Sequence, residues 1–374
     1  MNAFLIICAL GVALRAEVDP SLQAGIQLEG LHAYAGSESV AAGEAITFHV
    51  SSEEPYRFRV TKLGREVDNR ASDETIFSSP EAFEAMVQPI HPGSWIKLAK
   101  NLPARADLEP LTLECWVRPW SLDRWQGILA QHDYPEQCGL GLFLNGSGQV
   151  VFYLGSGGTF ETEAQLIGPN LTLRRWVHLA ATWDGERAVL WVDGKAAKER
   201  RQPGGARPRS AGAAPLRIGA YGENGETAHT FDGDLAMPAI YGKALDAQAI
   251  AARVSARGLE APNEKTLHAF WPLSEERGNK IADSTGNGYD GEIVNLGTWM
   301  IGGPSFDGTL VGRFDASYDP AMDASRGHAL RLASDDLYDC GWDARHTWQV
   351  PASSQSGIYA AWFDFQKDGV EMRY

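Results

Sequence analysis

Two acidic clusters have the composition of a calcium site. Asp335, Asp336 and Asp339 lie beside Tyr338, and Asp232 and Asp234 lie near His229. Carboxylate oxygens are the ligands a hard divalent cation takes. Both clusters also sit among glycine and turn residues, where aspartate bonds its own backbone, and that turn role is the expectation. No G-x-S-x-G elbow is present, and Cys115 falls on an apolar strand face, where burial opposes formation of a reactive thiolate. Glycoside hydrolysis needs two carboxylates flanking one bond, and no pair can be placed across a cleft from the sequence. The chain is therefore assigned no catalytic residue, no metal ligand and no cofactor. Trp120, Trp125 and Tyr134 have the chemistry to stack on sugar rings if exposed, although core packing is the commoner use of such residues. The acceptor pattern for N-glycosylation occurs at Asn145-Gly146-Ser147 and Asn170-Leu171-Thr172.

Composition limits the partners. Lys and Arg number 33 against 48 Asp and Glu, for a net charge of −15, which argues against nucleic acid because phosphate contacts need clustered basic side chains. The 40 glycines and 12 tryptophans of this 374-residue chain point to many turns and aromatic anchors, hence an all-β protein. That length accommodates two or three domains. Phe4 to Leu14 is apolar, too short to span a bilayer and of the length of a signal-peptide core. Residues 1–16 are read as a leader, giving a secreted or periplasmic protein if cleaved and a cytoplasmic one otherwise. No later segment reads as a transmembrane anchor. Cys115, Cys138 and Cys340 remain after the leader and match no zinc spacing. They are read as free thiols.

The elements that must position these groups are strands. Ala45 to Val50 and Tyr56 to Val60 alternate with period two, opening a small sandwich-like segment over residues 26–84. Residues 85–258 carry the clearest pattern. Leu111, Leu113, Cys115 and Val117 share one face, and Asn145-Gly146-Ser147-Gly148 links the runs Gly139 to Leu144 and Gln149 to Leu154 as a hairpin. Asp184-Gly185 and Asp193-Gly194 join further antiparallel runs, and Asp246 caps a short helix stopped by Gly258. Lys198 to Pro215, basic and rich in Pro and Gly, reads as a flexible loop. A third segment, 259–374, supplies strands near Leu267 to Leu273, Leu330 to Trp348 and Gly357 to Phe365, with no terminal element after them.

The blocks Leu111 to Trp125, Trp176 to Lys195 and Phe231 to Leu245, in that order, resemble the laminin-G-like, concanavalin-A-like jelly roll. The resemblance implies a two-sheet sandwich flanked by a smaller β-sandwich unit built from the N- and C-terminal segments. Members of that fold bind sugars, proteins or calcium, or act as spacers. A narrower resemblance covers almost all of the chain after the leader. Ser39 to Val50, His268 to Asn295, Asp335 to Trp342 and Ser356 to Ala361 look like the N-terminal β-rich portion of the N,N-dimethylformamidase large subunit. That resemblance implies a non-catalytic β scaffold whose partner is the catalytic domain or subunit of an amidase-like complex, where iron is held. The chain ends before that part, so no iron ligand falls on any position here. Ala333 stands where the family usually has histidine. The alternative expectation is a secreted carbohydrate- or protein-binding laminin-G-like module.

Overall fold

The computed structural model describes residues 25–66, 69–103, 107–158, 162–203, 207–212, 214–223, 226–310 and 317–374; the leader expected over 1–16 lies outside them. Two compact units share the chain, one made of Gly25–His91 with Asp339–Tyr374, the other of Pro92–Tyr338. Both are all-β, as expected, and every strand pairing is antiparallel.

The larger unit is a jelly-roll sandwich. Its first sheet runs in the order Gln165–Asn170, Gln149–Ser156, Cys138–Leu144, Gln126–Asp133, Arg217–Ile218, Trp95–Leu98, Gly291–Val294, Lys280–Ile281. The second runs Lys195–Arg201, Arg187–Val192, Val177–Trp183, Leu111–Pro119, Gly233–Tyr241, Ala329–Leu332, Thr298–Met300, with Leu267–Phe270 also paired to Gly233–Tyr241. Alternation dictates the core. Leu140, Leu142 and Leu144, with Val150, Phe152 and Leu154, point inward from the first sheet, and Leu113, Cys115 and Val117 belong to the same buried cluster from the second.

The turns follow their residue types. Asn145 Oδ1 accepts from the backbone N–H of Ser147 and Gln149, each at 3.0 Å. Asp193 and Gly194 take φ of +48° and +77°, the positive pair that a tight two-residue hairpin turn needs. The helix Ala247–Ala256 is capped by Asp246, whose side chain accepts from Ala249 N–H, and it closes through Arg257 in the left-handed conformation.

Three expectations change. Lys198 to Arg201, read as loop, extend an edge strand paired to Arg187–Val192, because the edge leaves their charged side chains in solvent. Residues 259–374 are shared between the units: Leu267–Phe270, Gly291–Val294 and Ala329–Leu332 complete the jelly-roll sheets, while Asp339–Tyr374 joins the smaller unit. A terminal element does follow Phe365. Asp368 and Gly369 turn the chain at φ +52° and +77°, and Val370–Arg373 pairs back on Tyr359–Lys367.

The smaller unit holds a three-stranded sheet (Leu31–Ala35, Ala45–Ser52, Ala344–Gln349) and a four-stranded one (Val370–Arg373, Tyr359–Lys367, Tyr56–Lys62, Glu74–Ser78). Ile46, Phe48, Val50, Phe58, Val60 and Phe363 form its core. His346 stacks 5.1 Å from Phe58, sits 4.0 Å from Phe83, and shares a 2.7 Å hydrogen bond with the Tyr56 hydroxyl. Burial first, and then the charge of Arg345, push its pKa down from 6.5 to about 4.

Between those values the unfolded chain binds a proton that the folded unit refuses, so this contribution is complete above pH 6.5 and is lost as pH falls toward 4. The loss should be on the order of 2 kcal/mol. His346→Gln, which keeps an acceptor for Tyr56, should flatten the wild-type slope of urea midpoint against pH in that window. Parallel slopes for the two proteins would contradict the assignment.

Candidate functional site

The inward alternation of the first sheet forces a second set of side chains outward. Phe143, Val151 and Tyr153 point away from the inter-sheet core and form a small buried cluster with Ala130, Ala164 and Tyr221. In register, Gly141 lies between Ala130 and Tyr153, and Gln165 continues the row beyond Tyr153. A Cβ on Gly141 would stand 2.4 Å from the end of the Phe143 ring, so the missing side chain is what lets that ring lie across the strand.

Phe143, Val151, Tyr153 and Gln165 line a cavity of about 330 Å³. His132, Tyr221 and His229 form its walls, and Trp125, Tyr134 and Gln137 its remaining lining. The rings meet at steep angles: His132 to Tyr153 at 4.9 Å and 89°, Phe143 to Tyr221 at 5.0 Å and 87°. His229 instead stacks on Tyr221 at 4.3 Å and 7°, held in a left-handed conformation at φ +47° while its carbonyl accepts from Gly127 N–H. Tyr153 donates to Gln137 Oε1 at 3.0 Å, and Gln137 Nε2 donates to the Tyr134 carbonyl. A Cβ on Gly155 would lie 2.4 Å from the Gln137 carbonyl, so the turn carrying Tyr134 and Gln137 rests directly on the sheet. The result is an aromatic chamber whose polar atoms come from amide, imidazole, indole and phenol groups. Such a chamber can hold the C–H faces of a sugar ring and bond its hydroxyls.

Of the three aromatics read as sugar-stacking candidates, the structure brings two here. Trp125 is 37% exposed and Tyr134 45%. Trp120 lies elsewhere, its Nε1 donating to Asp234 at 2.7 Å. His132, Phe143, Tyr153 and Tyr221 were not singled out by spacing, and His229 was noted only beside Asp232 and Asp234. The available signal was Gly139 to Leu144 and Gln149 to Leu154, apolar at both parities, which marks strands with two covered faces.

The acidic clusters are otherwise engaged. Asp234 accepts from Arg118 and Arg331, and Asp232 accepts from Arg124 and the Ser334 N–H. Asp336 accepts from Ser94 Oγ and the Ala333 N–H, with burial raising its pKa, and Asp339, which belongs to the smaller unit, accepts from Tyr34 of that same unit. Among the described residues no group of three or more His, Cys, Asp or Glu is placed to hold a metal. Cys115 and Cys340 are free thiols; burial pushes Cys115 far up and Cys340 to about 11, so neither is an activated nucleophile. No helix among the described residues is long and apolar enough to cross a membrane.

A buried electrostatic cluster lies on the second sheet. Glu114, 1% exposed, accepts from His178 Nε2 at 3.1 Å, Arg253 Nε at 3.2 Å and the Tyr241 hydroxyl at 2.5 Å. Burial raises its pKa, but the hydrogen bond and charge of His178 and the charge of Arg253 outweigh that and hold the carboxyl below its usual range. This cluster lies under the helix, closed to substrate, and serves the fold.

Residues 93–251 match the family model described as the concanavalin A-like lectin/glucanases superfamily, and that stretch is a concanavalin A-like jelly roll. A search of the curated proteins finds no match. Among solved structures, the chain is similar to a Bacteroides ovatus protein described provisionally as carbohydrate binding, at 14% identity and TM-score 0.43, covering 70% of this chain and 76% of that one. It is also similar to the SAP-like pentraxin of Limulus polyphemus, at 14% identity and TM-score 0.36, covering 56% and 86%. A third similar structure is the CBM40 module of a Ruminococcus gnavus IT-sialidase bound to sialyllactose, at 18% identity and TM-score 0.34, covering 40% and 83%.

Glu114→Ala should cost about 3–5 kcal/mol by removing the acceptor that the buried His178 and Tyr241 and the half-buried Arg253 share. The check is the shift in urea midpoint, and a loss below about 1 kcal/mol would show that the carboxylate is dispensable.

Proposed function

We propose that the chain is a carbohydrate-binding laminin-G-like module, with the aromatic chamber on the outer face of the first sheet as its binding site. The observation that carries this reading is the chamber itself: Trp125 and Tyr134 partly exposed beside Phe143, Tyr153 and Tyr221, with Gln137, Gln165 and two imidazoles among them. Aromatic faces take the apolar side of a pyranose, and amide side chains take its hydroxyls in pairs. No acid or base chemistry is asked of the site.

A second reading is carried by the block Asp335 to Trp342. On its resemblance, the chain is the β scaffold of an N,N-dimethylformamidase-like large subunit, and amide hydrolysis belongs to a separate catalytic domain or subunit. The block's own carboxylates are used structurally here, Asp336 on Ser94 and Asp339 on Tyr34, which fits a scaffold. The two readings differ in what the protein holds: a saccharide, or a catalytic chain.

A glycan array run with and without a calcium chelator separates them. The binding-module reading expects a saccharide signal that falls about tenfold, or ~1.4 kcal/mol, in Trp125→Ala and Tyr134→Ala. A flat array in both conditions, or a signal indifferent to both variants, would contradict it. Co-elution with an amidase catalytic chain, with no turnover of dimethylformamide by this chain alone, would favour the scaffold. Turnover by the isolated chain would exclude it.

A further inference from the structure

The outer face of the second sheet carries an arginine cluster unrelated to the chamber. Asp234, with no exposed surface, lies in a central strand directly opposite Arg118 on one neighbour and Arg331 on the other. The Nε of each arginine donates to its carboxylate, at 2.6 and 2.9 Å, and Trp120 Nε1 donates at 2.7 Å. One buried carboxylate thus orients two guanidinium groups through single Nε contacts. Their terminal nitrogens make no further hydrogen bond among the described residues.

Arg331 stands 4.1 Å and Arg174 4.8 Å from the Trp120 ring centre, and Arg118 stands 5.0 Å from that of Trp176. Arg174 is exposed, and among the described residues its guanidinium has only this ring contact. Three guanidinium groups thus stand 4.1–5.0 Å from indole ring centres, two of them sharing one buried carboxylate, on a chain whose net charge is −15. Planar guanidinium donors fixed in this way match a tetrahedral or trigonal oxyanion and lose little freedom on binding it. Trp120, 38% exposed, adds an apolar edge beside them.

We infer that this surface binds the anionic substituent of a polysaccharide, a sulfate ester or a carboxylate, through Arg118, Arg174 and Arg331, with Trp120 contacting the sugar that bears it. The site stands on its own observations and does not depend on the chamber being a sugar site. The whole-chain charge makes the test informative, since general electrostatics would repel a polyanion.

Affinity electrophoresis of the intact chain through gels containing dextran sulfate, polygalacturonate or uncharged dextran reads the effect. At low salt, at least one anionic polymer should retard the protein and dextran should not. Retardation by the sulfate polymer alone or by the carboxylate polymer alone names the substituent. Arg174→Glu should weaken retardation about tenfold and high salt should abolish it, while Arg57→Gln, at an exposed arginine of the smaller unit, leaves it unchanged. Arg174→Gln should weaken it in the same direction, and it keeps the test valid if the charge reversal disturbs folding. Equal retardation by dextran, indifference to both Arg174 variants, or binding to polyglutamate but to neither anionic polysaccharide would overturn the proposal.

Discussion

A strand covered on both faces has no water toward which to turn its polar side chains, and this constraint organises the larger unit. Val177–Trp183 and Gly233–Tyr241 are buried along their full length, and Leu111–Pro119 nearly so. One parity of each supplies the inter-sheet core. The other parity must still be satisfied, and it carries Glu114 and Asp234. Each is partnered in place, Glu114 by the Arg253 guanidinium with His178 and Tyr241 in hydrogen-bond contact, and Asp234 by Arg118 and Arg331. An unpaired carboxylate at either position would cost more than the sheet could tolerate. The pairs therefore hold the sheet's composition as firmly as the leucines do, and the arginines they recruit bring positive charge to an acidic molecule.

The first sheet meets the same constraint with rings in place of charges. Its outward parity is Phe143, Val151 and Tyr153, and the loop and hairpin residues Tyr134, Tyr221 and His229 close over them without filling the space. Both candidate surfaces thus arise from how each sheet finishes its outer face: an aromatic chamber on one and a guanidinium cluster on the other.

Much of the architecture was legible because it rests on local rules. Period-two alternation placed Leu113, Cys115 and Val117 in the core, and Asn145 to Gly148 and Asp193-Gly194 set the turns. Asp368-Gly369 carried the same turn signal for the final strand, although the short run beyond it, exposed on both faces, shows no hydrophobic pattern. The sites were less legible because they depend on distant partners. Asp234 meets Arg118 across 116 positions and Arg331 across 97, so its neighbours in sequence suggested a turn role, with calcium as the alternative, where the fold supplies arginine. Trp125 and Tyr134 were recognisable as stacking candidates by type, but only the turn seated on Gly155 brings them to one chamber with Tyr153 and Tyr221.

The central claim is that the chamber on the first sheet receives a sugar ring. A crystal structure of the chain soaked with the oligosaccharide that binds it in solution tests this most directly. The account predicts one pyranose seated against Phe143, Tyr153 and Tyr221, with hydroxyls bonded to Gln137 or Gln165. A ligand bound elsewhere, with the chamber filled only by water, would contradict it.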